Sequence, residues 1–576
     1  MYNPDRGVIL FLEFKKQVIS VLTDALASMG LQAEDLGLEP SQHADIASKV
    51  AFRLASQAKQ SPKDLARKIA DAVFLPDGSL IGKVTAVGPY INIDASRDYV
   101  DETVFRIRTE TLGFGGGFCN GRILLEHTSA NPNGPLHVGH IRNSIIGDTL
   151  KRVLKRAGYD VETQYYVNDM GRQIAIVSWA LSRFEFDTSR KPDHAIADVY
   201  IKANVELTED PSKVAEIDRL MQLVEKGDEN TIKGFDEAVS LAIAGIRETL
   251  MRMNVQHDSF PHESGFIRSG AVSRIIEEVK ATGKTEIDKG ALVVDLSDYG
   301  FEKTLVIQRT DGTSLYTTRD LAYHEWKSER ADRMIDVLGA DHKLISGQLK
   351  ATLRLIGKPE PEIVIFEFVS LPEGSMSTRR GKFISADDLL DQIEKQAYAE
   401  VDKRRPEMPE EFKKDVAMTV GIGAVRYDII KVSPEKSTVF DWKEALDFEK
   451  QGGPFIQYSH ARACNILKKA EEDGLWDPEA PIDPSVLVEE TEVSLIKKMA
   501  SFDSVLETSA RELKPNAIAI YARELAESFN QFYRFVPVLS AEDDNVRASR
   551  IALVDCARIV LANTLDTLGL GAPESM

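Results

Sequence analysis

His137 and His140 stand three residues apart at the end of Glu126-His-Thr-Ser-Ala-Asn-Pro-Asn-Gly-Pro-Leu-His-Val-Gly-His140, a stretch of fifteen residues with two prolines, two glycines and three histidines. An imidazole is a directional hydrogen-bond donor whether or not it is charged. Pro fixes the backbone beside it, and Gly lets a ligand approach closely. Two such donors at the start of a helix, where N–H groups and the positive dipole end already favour an anion, suit charge developing on a phosphoryl group. The same spacing could ligate zinc, but no third ligand can be named. Plain surface histidines are the other reading, and the Pro/Gly loop that follows a strand makes it the poorer one. No GxxxxGK[ST] occurs, which excludes a Walker A loop.

The flanks of the stretch must position these residues. Ile123-Leu124-Leu125 is of strand type, and Ile141, Ile145, Ile146, Leu150, Val153 and Leu154 recur at helical spacing until Gly158. A further apolar run, Gln164 to Val167, is expected as the next strand. The histidines then lie on the loop of a strand-helix-strand unit. Open parallel sheets bind ligands at the carboxyl ends of their strands, where this loop begins.

With 576 residues the chain exceeds one compact core, and several domains are expected. Residues 8–30 carry a helical pattern that ends at Gly30. Leu80 to Asp94 alternates like paired strands around Gly88-Pro89, which makes a small α+β module. Gly113 to Gly117 reads as a flexible junction. Beyond it strand and helix alternate, interrupted by a charged, helix-rich insertion from about 190 to 261. Ala291 to Leu296, Thr304 to Gln308, Met334 to Leu338 and Ile363 to Val369 read as strands, Asp311-Gly312 as a hairpin signal, and Lys343 to Ile356 as a helix. After Ala386 the strand signals stop, and amphipathic patterns run to the end, broken at Gly452-Gly453-Pro454 and at Trp476 to Pro484. The fold class is therefore multidomain: an α/β domain, an N-terminal α+β module and a C-terminal all-α domain.

Composition narrows the class. No apolar run approaches the roughly 20 residues a membrane helix needs. Val8 to Leu12 is interrupted at once by Glu13, Lys15 and Lys16, so neither signal peptide nor anchor is expected, no membrane partner is expected, and a cytoplasmic location is. Cys119, Cys464 and Cys556 lie far apart without CxxC spacing, which argues against a disulfide framework or a cysteine zinc site. The formal net charge of −20 opposes nucleic-acid binding only superficially, because a basic patch can sit on an acidic body.

Pro135-Leu-His-Val-Gly-His140 resembles the HIGH signature of class I aminoacyl-tRNA synthetases. Asn131 to Asn143, Tyr316-Thr-Thr-Arg-Asp320 and Met376-Ser-Thr-Arg-Arg-Gly381 together are similar to arginyl-tRNA synthetases in particular, in the same order along the chain. Three spaced motifs are specific, whereas a lone HxGH also occurs in small nucleotidyltransferases. The resemblance implies a tRNA-contacting module over 1–118, a Rossmann catalytic domain over 119–385, a helical connector over 386–452 and an anticodon-binding domain over 453–576. It implies ligation of L-arginine to tRNA(Arg) through an arginyl-adenylate, with ATP as substrate together with Mg2+, no zinc, and a monomer. Neither step needs a covalent enzyme intermediate, so positioning and electrostatic stabilisation are enough.

Carried onto this chain, the motifs assign His137, Gly139, His140, Met376 and Ser377 to ATP, and Glu126, Ser129, Asn131, Tyr316, Asp320 and, with less support, His342 beside Asp341 to arginine. A guanidinium is a planar fork that pairs best with carboxylates, which fits Glu126 and Asp320. Asp320 has a second reading as a dipole-complementing residue in the first turn of a helix. The third motif departs from its pattern: Ser375 and Thr378 stand where KMSKS has its two lysines, and Gly134 stands in the region where some relatives place a compensating lysine. Arg379, Arg380 and Lys382 are therefore expected to supply the positive charge, with a solvated basic turn as the alternative. Tyr458 to Arg462 and Asn530 to Phe535 mix aromatics with arginine as an RNA-reading surface does, although helical spacing also explains most of these aromatics as core. Two other functions stay in competition: adenylylation of a small metabolite, and tRNA binding without activation.

Overall fold

The computed structural model describes residues 10–39, 41, 43–310, 312–370, 384–447 and 450–576. The N-terminal module packs the helices Leu10–Ser28, Val50–Ala58 and Pro62–Ala72 around a four-stranded antiparallel sheet ordered Leu38–Glu39, Ile46–Ser48, Tyr90–Ala95, Ile81–Val87. The last two strands form the expected hairpin, turned at Gly88 with φ 60°. The helix Arg97–Glu110 leads out of the module.

The central sheet is parallel throughout and ordered Glu362–Phe366, Arg333–Gly339, Arg122–Glu126, Asp160–Gln164. Glu126 is in register with Asp336 on one side and Gln164 on the other, so three polar side chains form one row across the sheet. The helix Val138–Ala157 follows the histidine loop and ends at Gly158, whose φ of 115° suits a residue without Cβ. Three insertion helices, Pro192–Glu209, Val214–Glu225 and Glu229–Arg252, fall where the charged stretch predicts them.

Three readings of the sequence need correction. The second strand is Asp160–Gln164, ahead of the apolar run at 164–167; it lies at the sheet edge, where Asp160 is exposed, so polar residues are admitted there. The segments 291–294 and 305–308 are strands, as read, and lie outside the parallel sheet. With Thr285–Asp288 they form a separate antiparallel sheet of three strands. Ser314 to Tyr316, which reads as a strand, does not form one: Tyr316 opens the helix Tyr316–Ser328. Gly113 to Gly117 is packed, not free: Gly117 N–H donates to the Arg156 carbonyl at 2.9 Å, and a Cβ on Gly115 or Gly116 would strike Phe502 or the Arg156 carbonyl oxygen.

From Ala386 onward the chain is helical, with the helices Ala386–Arg404, Glu410–Ile430, Gly453–Glu472, Glu490–Ala500, Phe502–Glu512, Asn516–Phe535 and Asp544–Leu568. One short strand interrupts them, Thr438–Val439, which pairs in parallel with Val369–Ser370. The N-terminal module docks on these helices: Phe11 N–H donates to Asp503 at 3.0 Å, and Lys497 pairs with Asp45 at 2.7 Å. Among the described residues no helix is long and apolar enough to cross a membrane.

Candidate active site

The loop after the Arg122–Glu126 strand is held in an unusual conformation. Thr128 and Ser129 have φ of 70° and 38°, a region L residues rarely adopt. The surroundings over-determine it: Thr128 N–H donates to Asn143 Oδ1 at 3.1 Å, and Thr128 Oγ1 lies 2.8 Å from Ser144 Oγ and 3.0 Å from His127 Nδ1. His127 fits only because residue 147 is glycine; a Cβ there would lie 2.2 Å from the His127 ring.

At the far end of the loop His137 caps the helix, and the two histidines fix one another. His137 Nδ1 accepts from Gly139 N–H at 3.1 Å, and His140 Nδ1 accepts from His137 N–H at 3.2 Å, with the rings stacked at 3.7 Å. A ring nitrogen that accepts carries no proton, so each ring is a neutral imidazole with its proton on Nε2. Burial pushes both below the ordinary imidazole value, and with His137 alongside, His140 falls to about 3. Neutral donors at a helix N-terminus can stabilise a phosphoryl oxygen without a titration near pH 7.

Beside them lies a carboxylate site on the row of polar residues across the sheet. Glu126 Oε1 accepts from Ser129 Oγ at 3.0 Å, and Ser129 Oγ in turn accepts from Tyr166 N–H at 3.0 Å. Glu126 Oε2 accepts from the buried Lys327 ammonium at 3.0 Å, which also donates to Asp336 at 2.7 Å. Asp320 lies one turn before His324, whose other ring nitrogen meets Asp336 at 2.7 Å. Burial raises the Glu126 carboxyl, partly offset by Lys327. At Asp336 burial acts in the same sense, but Lys327 and His324 outweigh it and hold the carboxyl below its ordinary value. The floor is aromatic: Tyr166 stacks on Tyr323 at 4.5 Å, and Tyr323 Oη donates to Gln164 at 2.7 Å.

The structure thus brings Glu126, Ser129 and Asp320 into one connected group. Asn131 is exposed on the same loop, 3.4 Å from Asn168. Tyr316 is exposed at the start of its helix. His342 is exposed after the Arg333–Gly339 strand, and its ion partner is Asp341 at 3.9 Å rather than a member of the group. Asp320 lies past the first turn of its helix, which has no acidic residue. Met376, Ser377, Arg379, Arg380 and Lys382 lie outside the described residues. The chain next to them does meet the histidine loop: Ser385 bridges His137, and Ala386 N–H donates to the Leu136 carbonyl at 2.7 Å.

The sequence reading missed Lys327, His324, Asp336, Arg142 and the tyrosines. Asp336 is a carboxylate inside the otherwise apolar run Met334 to Leu338, and that anomaly was the available signal. Buried Arg142 donates to the carbonyls of Glu367 at 2.6 Å and Lys436 at 2.7 Å, tying the histidine helix to two further segments. Asp193, His194 and Asp387 converge with metal-ligand spacing, but the Lys191 ammonium already donates to Asp193 at 2.8 Å and Asp387 at 2.9 Å.

Comparison with known proteins bears on this geometry. The family described as "tRNA synthetases class I (R), catalytic domain" matches residues 119–442, "DALR anticodon binding domain" matches 456–576, and "Arginyl tRNA synthetase N terminal domain" matches 14–95. The chain is 75% identical over 567 residues to the arginine–tRNA ligase of Methanococcoides burtonii, covering 98% of this chain and 100% of that protein. It is 70% identical over 567 residues to the arginine–tRNA ligase of Methanosarcina acetivorans, with the same coverage. The solved structure of Thermus thermophilus arginyl-tRNA synthetase superposes with a TM-score of 0.82 at 28% identity, over 97% of this chain and 100% of that one. With the parallel sheet, the histidine-capped helix and matches that span nearly its whole length, the chain belongs to the class I arginyl-tRNA synthetase family.

Proposed function

We propose that this chain ligates L-arginine to tRNA(Arg) at the expense of ATP, and that the paired Nε2–H donors of His137 and His140 beside the Glu126–Asp320 group carry the reading. The arginine carboxylate attacks the α-phosphorus of ATP. A new P–O bond forms, the bond to the bridging oxygen breaks, and pyrophosphate leaves with its electron pair. A hydroxyl of the terminal tRNA ribose then attacks the arginyl carbonyl, AMP leaves, and the hydroxyl proton passes to phosphate or solvent. Both steps build charge on phosphoryl or carbonyl oxygens, where fixed neutral donors stabilise it without reorganising.

In this reading Glu126 and Asp320 meet the guanidinium, with Tyr316 beside them. Ser129 and Asn131 hold the α-amino group, and His342 lies at the rim. Gly139, Met376 and Ser377 approach the nucleotide, and Arg379, Arg380 and Lys382 neutralise the triphosphate that arrives with Mg2+. The tRNA meets the 1–118 module and the 453–576 helices. On the latter, Arg462 lies 4.8 Å over Tyr458 and 5.8 Å over Tyr533, both exposed, while Phe529 and Phe532 are core. Base stacking on such aromatics supports an anticodon role. We further propose a monomer working in the cytoplasm. Pyrophosphate exchange with each amino acid, with and without tRNA(Arg), tests the assignment: exchange is expected with arginine and tRNA present, and exchange driven by another amino acid, or none at all, would refute it.

A further inference from the structure

The carboxylates assigned to the guanidinium rest on a closed set of buried charges. Asp320, His324 and Lys327 occupy positions i, i+4 and i+7 of the helix Tyr316–Ser328 and so share one face. Glu126 and Asp336 are register neighbours on the strands that this face covers. His324 Nε2 lies 2.7 Å from Asp336 Oδ2, while its Nδ1 lies 2.8 Å from the Asp320 carbonyl oxygen and 3.1 Å from Asp320 Oδ1. The nearest donor, Lys327 Nζ, stands at 3.4 Å, much farther than the Asp336 oxygen. A ring with an acceptor at each nitrogen carries a proton at each, so His324 is an imidazolium.

The charges can then be counted. Glu126, Asp320 and Asp336 bring three negative charges, and Lys327 and His324 bring two positive ones. The next cation on the helix, Arg319, is paired elsewhere, with Glu263 at 3.3 Å and Glu225 at 3.7 Å. Tyr166 and Tyr323, which line the same space, are uncharged phenols. An excess charge that is largely buried is unfavourable until a counter-ion arrives.

We propose that His324, Asp336 and Lys327 are positioning residues that set this pocket at one excess negative charge, so that a ligand side chain bearing one positive charge completes it. The proposal rests on the assignment of Glu126 and Asp320 to the arginine site. It explains why two buried cations sit beneath a cation-binding pocket: they lower the excess from three charges to one and hold the oxygens in place. Burial and Lys327 disfavour the imidazolium, and Asp336 and Asp320 more than reverse this, raising His324 to about 10. His324 therefore keeps its charge through neutral pH.

The test is a charge-balance cycle in the full chain with tRNA present, reading KM for arginine and for ATP in pyrophosphate exchange. Asp336→Asn leaves no excess charge, and Lys327→Met leaves two, more than one ligand cation neutralises, and releases the Glu126 oxygen that Lys327 holds, so each should raise the arginine KM by about tenfold or more while the ATP KM moves by less than about twofold. The double variant returns the excess to one and should bring the arginine KM back to within about threefold of the parent, a coupling that packing loss alone does not produce. A double variant as impaired as the product of the two single effects would overturn the proposal. Asp320→Asn serves as the arm for the underlying assignment: an unchanged arginine KM there sinks the pocket itself, whereas a raised one with no rescue in the double variant sinks only the charge balance. Should the buried variants fail to fold, 15N spectra at about pH 8.5 of the histidine-labelled chain carrying His194→Gln and His262→Gln, which remove the two other rings that carboxylates raise, still decide, because unperturbed histidines are neutral there. At least one doubly protonated ring is expected, and a spectrum with none would overturn the charge count.

Discussion

Asp320→Asn separates recognition of arginine from support of the fold. The side chain is partly exposed, lies past the first turn of its helix and caps no N–H of that helix, so the folded state should lose little. Its ion partner on the helix is His324 at 3.1 Å, and that ring keeps its bond to the Asp320 backbone carbonyl and to Asp336. What the substitution removes is the charge offered to a guanidinium. A charge-assisted hydrogen bond contributes about 1.5–3 kcal/mol, and at about 1.4 kcal/mol per decade this is roughly a 10- to 150-fold loss. Solvent reaching the carboxylate before binding places the expectation toward the lower end. Citrulline, the neutral near-isostere, meets the carboxylate without an ion pair, so its use should change less. Pyrophosphate exchange with arginine and citrulline, with tRNA present and folding verified by circular dichroism, measures both. The arginine/citrulline ratio should fall by about tenfold or more, and a ratio that stays put in a folded variant would refute the reasoning.

The remaining expectations address other parts of the site. His137→Ala and His140→Ala should each lower the turnover of adenylate formation by roughly 10²–10³ with arginine KM nearly unchanged, and full turnover in both would end the phosphoryl role. Replacing Arg379, Arg380 and Lys382 together by Ala should slow activation and raise the ATP KM far more than the arginine KM; a fully active variant would move the neutralising charge elsewhere. Acid should unfold the protein early. Burial lowers His127 well below its ordinary value, His140 to about 3 and His257 to about 4. The unfolded chain therefore binds protons that the folded one refuses, and stability present above about pH 6.5 is lost as pH falls toward 4. His324, held above its ordinary value, opposes this only slightly near pH 6.5 and adds no slope below about pH 5.5. His140 and His257 each give up about 1.6 kcal/mol between pH 6.5 and 5, while buried Asp503 and Glu263, both raised to about 7, take up protons and offset part of it, so His257→Gln should flatten the fall of the urea midpoint over that interval, and an unchanged pH dependence would contradict the neutral assignments.

Much of the scaffold could be read from local pattern. The helix Val138–Ala157, its Gly158 terminus, the 81–95 hairpin and the helical last third all follow from apolar periodicity and from glycines at turns. Strand 160–164 could not, because an edge position admits Asp160 and Glu162 and so hides the alternation. Pairing between distant segments was equally invisible: nothing local distinguishes a strand of the parallel sheet from one of the separate 285–308 sheet. The site divides in the same way. Glu126 and the histidines sit in a loop whose composition is itself unusual, whereas Lys327 and Asp336 gain meaning only when a helix face and a strand row meet. Asp320, His324 and Lys327 were nevertheless spaced as one stripe on an amphipathic helix, a pattern that sequence alone could have offered.

The helix behind the histidines has a mechanical consequence. It begins with the site and is gripped near its middle, where buried Arg426 clamps Asp148 and also donates to the Leu568 carbonyl at the end of the last helix at 3.0 Å. From Asp148 to the first turn is about 15 Å at roughly 1.5 Å per residue. Swinging such a rod by about 4° moves its tip by about 1 Å, an error that can cost on the order of a hundredfold in rate. The angular tolerance of catalysis is therefore a few degrees, and it is set by a residue and a carbonyl that lie outside the catalytic loop. The C-terminal helix acts as the mounting that keeps the histidines aimed.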